Sequence, residues 1–446
     1  MPQPRHILIV GGGYVGMYAA RRLEKKLHAG EARITVVDPQ PTMTYQPFLA
    51  EAAAGSIEPR HVVVPLRRVL RRSRVLTGSV TRIEHARRVA VIALPDGETT
   101  EIDYDDLVMA AGSVARTLPI PGLAEHGIGF KTVGEAIYLR NHVLGQLDSA
   151  AAAKSPETRR AALTFVVVGG GYSGVEIFAE LEDMARSALR YYPDVEAREM
   201  RWVLVEAADR IMPEVSRSLS NYTAERLTER GMDIRLNTRV SSMVERHVVL
   251  SDGDEFDAHT IVWTAGVRAN PLASRSGLPV DSLGRLLADA TLQVQGVEGV
   301  WAAGDSAAVP DLSAAYQETP DTRERLPVLC GPTAQHAVRQ AKRLADNLAL
   351  SLRGAPPRPY RHANAGSVAS LGLHKGVAEI YGIKLRGFPA WFLHRTYHLL
   401  QVPTLNRKVR VVLDWTLALF FRRDVVSLGQ VHQPRLEWEA SNSWAA

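Results

Sequence analysis

The segment FVVVGGGYSGVEIFAELED, residues 165–183, runs from an apolar strand into three closely spaced glycines and then into a helical pattern. The segment HILIVGGGYVGMYAARRLE, residues 6–24, has the same shape. In both, the glycines follow the order G-x-G-x-x-G between a strand and a helix, which is the fingerprint of a β–α–β unit that binds a dinucleotide. The sequence therefore predicts an α/β chain with two Rossmann-like units.

Each glycine of the first unit has its own task. Gly11 makes the tight turn, Gly13 lets the backbone approach a pyrophosphate, and Gly16 lets the helix and the strand pack closely. The free N–H groups at the helix N-terminus then face the phosphates. Asp38 ends the next strand, RITVVD, and is placed to accept hydrogen bonds from a ribose diol.

The second unit repeats this pattern with Gly169, Gly171 and Gly174. Its acid is Glu206, at the end of the strand RWVLVE. A carboxylate at this position hydrogen-bonds a free 2′-hydroxyl and repels a 2′-phosphate. We therefore predict NADH rather than NADPH as the ligand, with Arg210 as a nearby charge that would soften the preference.

Two later strands both end in an Ala-Gly pair, Ala111-Gly112 and Ala265-Gly266. Together these pairs predict two points at which the chain crosses between domains. The segment GVWAAGDSAAVP then places Asp305 directly after a strand and a glycine. A carboxylate there can hold a ribityl hydroxyl near a helix N-terminus.

The order GxGxxG, Ala-Gly, GxGxxG, Ala-Gly, AGD resembles that of the flavoproteins with two dinucleotide-binding domains, over residues 5 to about 345. The resemblance implies FAD on the first unit and the AGD segment, and NAD(P)H on a second unit inserted in the first. The expected domain limits are 1–118 and 269–355 for the FAD-binding domain, 119–268 for the NADH-binding domain, and 356–446 for a C-terminal membrane-associating region.

Cys330 is the only cysteine of the chain. This excludes the disulfide reductases of that family and sulfide:quinone oxidoreductase, because both need a cysteine pair beside the flavin. Ferredoxin and rubredoxin reductases stay open, since they pass electrons singly to a protein and need no thiols.

Two further segments favour a quinone as the electron acceptor. MTYQPFLAEAAAGSIEPRHVVVPLRRVLRR, residues 43–72, resembles the segment after the first β–α–β unit in type II NADH dehydrogenases, the single-chain NADH:quinone oxidoreductases. CGPTAQHAVRQAKRLADNL, residues 330–348, resembles their helix beside the flavin, where Ala334 and Gln335 would lie by the isoalloxazine ring and the quinone pocket. That family usually writes A-Q-x-A-x-Q, whereas this chain has Arg339 at the last position and Gln340 one residue later.

Glu176 also matches the type II family, and the match implies a role at the nicotinamide end of NADH or in coupling to the quinone side. A glutamate in the first turn of a helix is favoured by the helix dipole alone as well. The catalytic candidates are Glu176 and Gln335, and the contacts of His374 and Lys375 with the quinone pocket are left open. The predicted cofactor-binding residues are Gly11, Gly13, Gly16, Asp38, Ala111, Gly112, Asp305, Ala334, Gly169, Gly171, Gly174, Glu206, Ala265 and Gly266.

The C-terminal part is basic and aromatic. From Lys384 to Arg423 there are eight Lys and Arg residues and one acid, Asp414, a net charge of +7 against +5 for the whole chain. A helical wheel of residues 409–423 places Arg410 and Asp414 opposite an apolar arc. The arc consists of Val409, Val412, Leu413, Trp415, Leu417, Leu419 and Phe420. Such a face flanked by arginines predicts an interfacial helix on an anionic membrane, although a packed dimer helix has the same stripe.

The sequence predicts neither a membrane-spanning helix, which needs roughly 18 apolar residues, nor nucleic-acid binding. The apolar run from Ile7 to Val10 is too short for a signal peptide, so we expect a peripheral protein on the cytoplasmic face of the cell membrane.

The resemblance implies hydride transfer from NADH to FAD and then transfer of two electrons to a quinone, and we expect no proton pumping. Two alternatives stay open: a reductase of a soluble electron carrier, and a non-catalytic flavin- or NADH-binding membrane sensor. A homodimer is also open.

Overall fold

The computed structural model describes residues 4–314, 317–318, 325–362, 366–421 and 423–427. Strands and helices alternate along much of the chain, as the sequence predicts. The α-helices of the described residues are α1 (Tyr14–Lys26), α2 (Leu49–Ala53), α3 (Leu66–Val69), α4 (Leu123–His126), α5 (Val133–Ala152), α6 (Pro156–Ala162), α7 (Tyr172–Ala188), α8 (Arg217–Thr228), α9 (Leu272–Arg275), α10 (Ala334–Leu352), α11 (Phe388–Gln401) and α12 (Leu405–Phe420).

The β-strands of the same residues are two to seven residues long. They are β1 (Arg5–Val10), β2 (Ala32–Asp38), β3 (Thr42–Thr44), β4 (Val63–Pro65), β5 (Arg74–Thr77), β6 (Ser79–Glu84), β7 (Val89–Ala93), β8 (Thr99–Asp103), β9 (Asp106–Met109), β10 (Ser113–Ala115), β11 (Gly127–Gly129), β12 (Thr164–Val168), β13 (Arg201–Val205), β14 (Asp233–Arg235), β15 (Val240–Ser242), β16 (His247–Leu250), β17 (Glu255–Asp257), β18 (Thr260–Trp263), β19 (Val267–Ala269), β20 (Leu286–Leu287), β21 (Val300–Ala302), β22 (Ala307–Ala308), β23 (Gln317–Glu318), β24 (Arg325–Leu326), β25 (Ser367–Ser370), β26 (Gly376–Ile380) and β27 (Ile383–Arg386).

The chain divides into two compact units. The first unit comprises Met1–Thr44, Val64–Val114 and Val267–Asn364, and the second comprises Tyr45–Val63, Ala115–Gly266 and Ala365–Ala446. The predicted domain limits remain a prediction, and the compact units differ from them in two places. Both the segment 45–63 and the C-terminal part belong to the second unit, because α2 and β25 bury apolar side chains in one core with α5 and α7.

The first unit is built on a parallel five-stranded sheet with the order β21-β9-β1-β2-β5. Residues 7–10 of β1 are all buried, as expected for a central strand that is covered on both faces. The chain leaves β1 toward β2 on one side and later returns to β9 on the other. The carboxyl end of β1 is therefore the topological switch point, where open α/β sheets bind their ligands.

The second unit has a parallel five-stranded sheet of the same kind, with the order β11-β18-β12-β13-β14. Its switch point lies at the carboxyl end of β12, between β18 and β13. Phe165 of β12 stacks on Trp202 of β13, with ring centroids 4.2 Å apart. The fold is therefore α/β with two Rossmann-like units, as predicted, and the stretch 115–266 is inserted in the sequence of the first unit.

The second unit also contains the antiparallel sheet β25-β26-β27, against which α11 packs. The C-terminal helix spans Leu405–Phe420 rather than 409–423, because Thr404 caps its start by accepting a hydrogen bond from the N–H of Arg407 at 3.3 Å. None of the helices in the described ranges is both long and apolar enough to cross a membrane.

The faces of α12 differ from the helical wheel in one respect. Trp415, predicted on the exposed arc, packs edge-on against Phe48 at 5.5 Å and donates to Glu51 at 3.1 Å. Val411, which lay outside the arc, is fully buried. α12 has two apolar sides, one packed against the rest of the second unit and one exposed, and a helical wheel cannot tell them apart. The outer side consists of Val409, Val412, Leu413, Leu417 and Phe420, whereas the side chain of Leu419 lies outside the described part.

Candidate functional site

The first glycine turn has the geometry of a pyrophosphate cradle. A Cβ on Gly16 would lie 1.7 Å from the carbonyl oxygen of Gly11, which is why helix and strand can approach only through glycine. A Cβ on Gly11 would lie 2.3 Å from the carbonyl of Ala110, and its φ of +104° is one that glycine adopts readily. Gly13, the N-cap of α1, faces open space within 4 Å. The N-terminus of α1 is therefore open to an anionic group, and the residues present fit a dinucleotide phosphate.

Asp38 stands beside this turn at the end of β2. Its Oδ2 accepts a hydrogen bond from the N–H of Gly12 at 2.6 Å, and its Oδ1 accepts one from the N–H of Gln40 at 2.7 Å. Burial raises the pKa of the carboxyl, while the two N–H groups oppose that rise. The side chain is thus fixed at the switch point, where a ribose diol of the ligand would approach it.

Asp305 lies in the tight turn Gly304–Ser306, in the same unit as Asp38. The hydroxyl of Ser113, which directly follows the Ala111-Gly112 pair, donates to the Asp305 carboxylate at 2.5 Å. This places the first Ala-Gly pair close to Asp305. The carboxylate is held by a neighbouring hydroxyl, as a group that binds a sugar hydroxyl needs to be.

Gln340 on α10 holds this turn, a role that its sequence pattern did not predict. Its side chain is buried, and its Oε1 accepts a hydrogen bond from the N–H of Gly304 at 2.7 Å. The sequence contains a hint of this role, because Gln340 lies one residue past the last position of the A-Q-x-A-x-Q pattern. The structure gives that displaced glutamine a task in the Asp305 turn.

The first turn of α10 carries Ala334 and Gln335, both half-buried. The guanidinium of Arg339 lies 3.3 Å from Nδ1 of His362, and the His362 ring stacks on His336 with centroids 4.0 Å apart. Burial is the main cause that lowers the pKa of His336, to about 4. Arg339 is therefore part of a histidine cluster in the first unit, and the assignment of Gln335 as a quinone contact stays a prediction.

The second glycine turn repeats the geometry of the first. A Cβ on Gly174 would lie 1.8 Å from the carbonyl oxygen of Gly169, whose φ is +112°. Gly171, the N-cap of α7, faces open space within 4 Å. The hydroxyl of Thr264, which directly precedes the Ala265-Gly266 pair, donates to the Gly169 carbonyl at 3.1 Å. The second Ala-Gly pair thus adjoins this turn, which also fits a dinucleotide phosphate.

Glu206 takes the place in the second unit that Asp38 has in the first. Its Oε2 accepts a hydrogen bond from the N–H of Gly170 at 2.5 Å, and its Oε1 accepts one from the N–H of Ala208 at 2.7 Å. The guanidinium of Arg210 donates to the carbonyl of Pro213 at 2.7 Å. A negative charge at the end of β13 fits a free ribose diol better than a ribose phosphate.

Glu176 lies on the first turns of α7, and its carboxylate has two partners. Oε1 accepts a hydrogen bond from the N–H of Ser370 at 3.0 Å and lies 3.3 Å from Nε2 of His394. His394, on α11, is fully buried, and nothing in the sequence paired it with Glu176 because 218 positions separate them. Lys375 forms an ion pair with Asp183 at 3.6 Å, and His374 packs edge-on against Trp391 with ring centroids 4.8 Å apart.

The predicted site residues thus form two sets, one within each unit. Each set has a glycine turn, an acid at the next strand end and an open helix N-terminus, as a dinucleotide site requires. The chain belongs to the pyridine nucleotide-disulphide oxidoreductase family, whose profile matches residues 5–341.

Sequence relatives of this chain show to which group within the family it belongs. The type II NADH:quinone oxidoreductase Ndh of Mycobacterium tuberculosis is 30% identical over 437 residues, which cover 95% of this chain and 89% of that protein. The type II NADH:quinone oxidoreductase of Staphylococcus aureus is 30% identical over 400 residues, covering 88% of this chain and 93% of that protein. The structure of NDH2 from Plasmodium falciparum in complex with NADH has the same fold, with a TM-score of 0.86 at 16% identity over 95% of this chain and 99% of that one. The chain belongs to the type II NADH:quinone oxidoreductases, and the family predicted from the sequence is confirmed.

Proposed function

We propose that this chain is an enzyme that oxidises NADH by way of bound FAD and passes two electrons to a quinone, without pumping protons. The observation that carries the proposal is the pair of similarly built crevices, one in each unit, in a chain of the type II family. In this proposal the first crevice holds FAD, which stays bound, and the second holds NADH, which is exchanged at each turnover. Family membership confirms the predicted oxidoreductase class and its cofactors.

FAD, when bound, accepts a hydride and hands the electrons on to the second substrate. The protein's part is to hold and orient its ligands. In the first unit Gly13 leaves the phosphate cradle open, and Asp38 and Asp305 offer carboxylates to sugar hydroxyls. Ala334 and Gln335 stand on the first turn of α10 in the same unit, and we assign Gln335 to the quinone head group.

In the second unit Gly171 and Glu206 select NADH. The open N-terminus of α7 takes the pyrophosphate, and the Glu206 carboxylate takes the ribose diol. Because two N–H groups already fix that carboxylate, it needs no rearrangement to meet the ligand.

Glu176 and His394 supply the proton chemistry in this proposal. Reducing a quinone with two electrons consumes two protons, so a site for this reaction benefits from a group that can donate a proton. Oε1 of Glu176 and Nε2 of His394 lie 3.3 Å apart without a hydrogen bond between them, so a small side-chain movement would bring them into hydrogen-bond geometry for proton transfer. His394 is buried, and two carboxylates face its ring, that of Glu176 on the Nε2 side and that of Glu51, 4.0 Å from Nδ1.

We further propose that α11 and α12 lie on the membrane surface, at its cytoplasmic face. Both helices expose apolar side chains on the outer side of the second unit, notably Phe388, Phe392 and Phe420. α12 also carries Lys408 and Arg410, so the helix combines exposed apolar area with positive charge. The same face is the candidate surface for a homodimer, and the mass of the protein in detergent separates a monomer from a dimer.

The deciding measurement is NADH oxidation by the purified, flavin-loaded protein with a short-chain quinone. We expect rapid quinone reduction, bleaching of the flavin spectrum on anaerobic addition of NADH, and much slower turnover with NADPH. A protein that reduced ferredoxin but not quinone would contradict the proposal. A protein that bound FAD without turnover would instead support a sensor.

A further inference from the structure

Residues 423–427, which we name the C-terminal strap, come after α12 in the sequence, form neither helix nor strand, and contact other parts of the second unit. The guanidinium of Arg140 donates to the backbone carbonyl of Asp424 at 3.0 Å and lies 3.3 Å from the Asp424 carboxylate. The guanidinium of Arg190 donates to the carbonyl of Arg423 at 3.2 Å. A Cβ on Gly55 would lie 2.8 Å from the carbonyl oxygen of Asp424. The strap therefore has a fitted receptor, and its Val425 packs against the core of α5 and α7.

Arg423 points from the strap to a buried carboxylate on α7. Glu180 is 1% exposed, and Arg423 donates to its backbone carbonyl at 3.2 Å and to its Oε2 at 3.3 Å. Burial raises the pKa of Glu180, the charges of Glu51 and Asp183 raise it further, and Arg423 opposes them. A buried charge that loses its partner is costly, so the state of Glu180 depends on the strap.

Glu180 and Glu176 lie one turn apart on α7 and hold the same residue. The hydroxyl of Ser370 donates to Oε1 of Glu180 at 2.9 Å, and the N–H of Ser370 donates to Oε1 of Glu176 at 3.0 Å. Ser370 ends β25, so its position decides where that N–H points. A continuous series of contacts thus runs from Arg423 through Glu180 and Ser370 to Glu176.

We propose that Arg423 is a positioning residue for Glu176. Its positive charge balances that of the buried Glu180 carboxylate, which then holds the Ser370 hydroxyl in place. The N–H of Ser370 in turn orients the Glu176 carboxylate. This inference rests on the proposed role of Glu176 in the reaction. It makes the C-terminal strap part of the machinery that sets the geometry of the site. Quinone turnover should therefore depend on a seated strap, even when FAD and NADH are bound normally.

A double-mutant cycle on the full-length, flavin-loaded protein tests the charge step. Arg423→Gln should lower kcat with a short-chain quinone by about ten- to hundredfold per bound flavin, the cost of a misplaced catalytic group. Adding Glu180→Gln should restore kcat at least about tenfold, because the amide oxygen still accepts the Ser370 hydroxyl without a charge to neutralise. No restoration, or a normal kcat per flavin in Arg423→Gln, would overturn the inference.

Two further variants separate positioning from folding. Ser370→Ala removes only the hydroxyl link and should show the same fall in kcat with an unchanged KM for NADH, and this variant decides the matter if Arg423→Gln does not fold. Val426→Ala, at an exposed position of the strap, is the matched control and should keep full activity.

Glu176→Gln distinguishes this inference from the function on which it rests. If Glu176→Gln slows turnover while Arg423→Gln and Ser370→Ala do not, the strap inference alone is wrong. If Glu176→Gln turns over normally, the role of Glu176 is wrong and the inference falls with it. If all three slow turnover to a similar extent and shift the pH profile of kcat in the same direction, the inference is supported.

Discussion

Asp38 and Glu206 occupy equivalent positions in two units whose glycine turns share the sequence VGGGY-x-G. Asp38 is the last residue of β2 and Glu206 directly follows β13, and each accepts a hydrogen bond from the N–H of the middle glycine of its turn. The carboxylate therefore stands at the same point relative to the helix N-terminus in both units. Because each carboxylate is held by the backbone of its own turn, replacing one acid leaves the hydrogen bonds of the other in place.

Glu206 is the residue at which we expect the choice between NADH and NADPH to be made. Glu206→Gln still accepts from the N–H of Gly170 but no longer repels a 2′-phosphate, so the ratio of kcat/KM for NADH to that for NADPH should fall by about tenfold or more. Steady-state kinetics with both nucleotides measures this ratio. Asp209→Asn, an exposed acid three residues further on, is the control and should leave the ratio unchanged. An unchanged ratio in Glu206→Gln would place the selection elsewhere.

We expect the stability of the first unit to depend on pH through His336. Its pKa is lowered from the ordinary value of 6.5 to about 4, chiefly by burial, so between those values the unfolded chain binds a proton that the folded chain does not. The stability that depends on neutral His336 is thus complete above pH 6.5 and is lost as the pH falls to about 4.

The corresponding experiment compares thermal melts at about pH 7.5 and about pH 4.5. His336→Gln should lose less stability than the wild type on acidification, whereas His28→Gln, at an exposed position, should behave as the wild type does. If both variants lose the same stability as the wild type, His336 does not carry the acid response.

At the scale of the elements, the two glycines of one turn have separable roles. Gly171 is in an extended conformation, and an added Cβ meets nothing within 4 Å, whereas a Cβ on Gly174 would lie 1.8 Å from the carbonyl oxygen of Gly169. The first glycine leaves room for the ligand, and the second lets α7 pack on β12.

We therefore expect Gly171→Ala to raise KM for NADH several-fold while the melting temperature and flavin content stay those of the wild type. Gly174→Ala should lower the melting temperature by several degrees or prevent folding, since overpacking of backbone against backbone cannot relax through a side chain. Melting curves and steady-state kinetics on the two variants measure the difference. Equal melting temperatures would show that α7 can shift away from β12.

In α11 and α12, the sequence pattern predicted the helices but not which of their side chains are buried. The apolar stripe of α12 was visible in the sequence, but Trp415 faces inward to Phe48 and Glu51. Arg395 of α11 pairs with the buried Glu51 at 2.8 Å, so it does not add to the basic surface that the charge count suggested. A helical wheel gives the angular position of each residue around the helix axis. Which side of the helix is buried depends on the elements that pack against it.

At the scale of the whole molecule, the exposed side of α12 makes attachment to membranes testable by one substitution. Leu417 is 54% exposed, and Leu417→Glu places a charge on the apolar face. We expect weaker co-sedimentation with anionic vesicles and slower turnover with a long-chain quinone in those vesicles, but unchanged turnover with a short-chain quinone. Leu283→Glu, at a leucine of the first unit that is 58% exposed, is the matched control. Equal binding of both variants to vesicles would exclude this face as the contact with the membrane.

The sequence by itself determined the two β–α–β units, their glycine turns and acids, the α/β class and the family. These features are local, because a strand, a turn and a helix follow one another along the chain, and each glycine is needed by a neighbour a few residues away. Only the tertiary structure decided that Gln340 holds Gly304, that His394 meets Glu176 and that Arg423 meets Glu180. Each of these pairs joins residues that are far apart in sequence, and their burial makes a precise partner necessary, which spacing along the chain cannot specify.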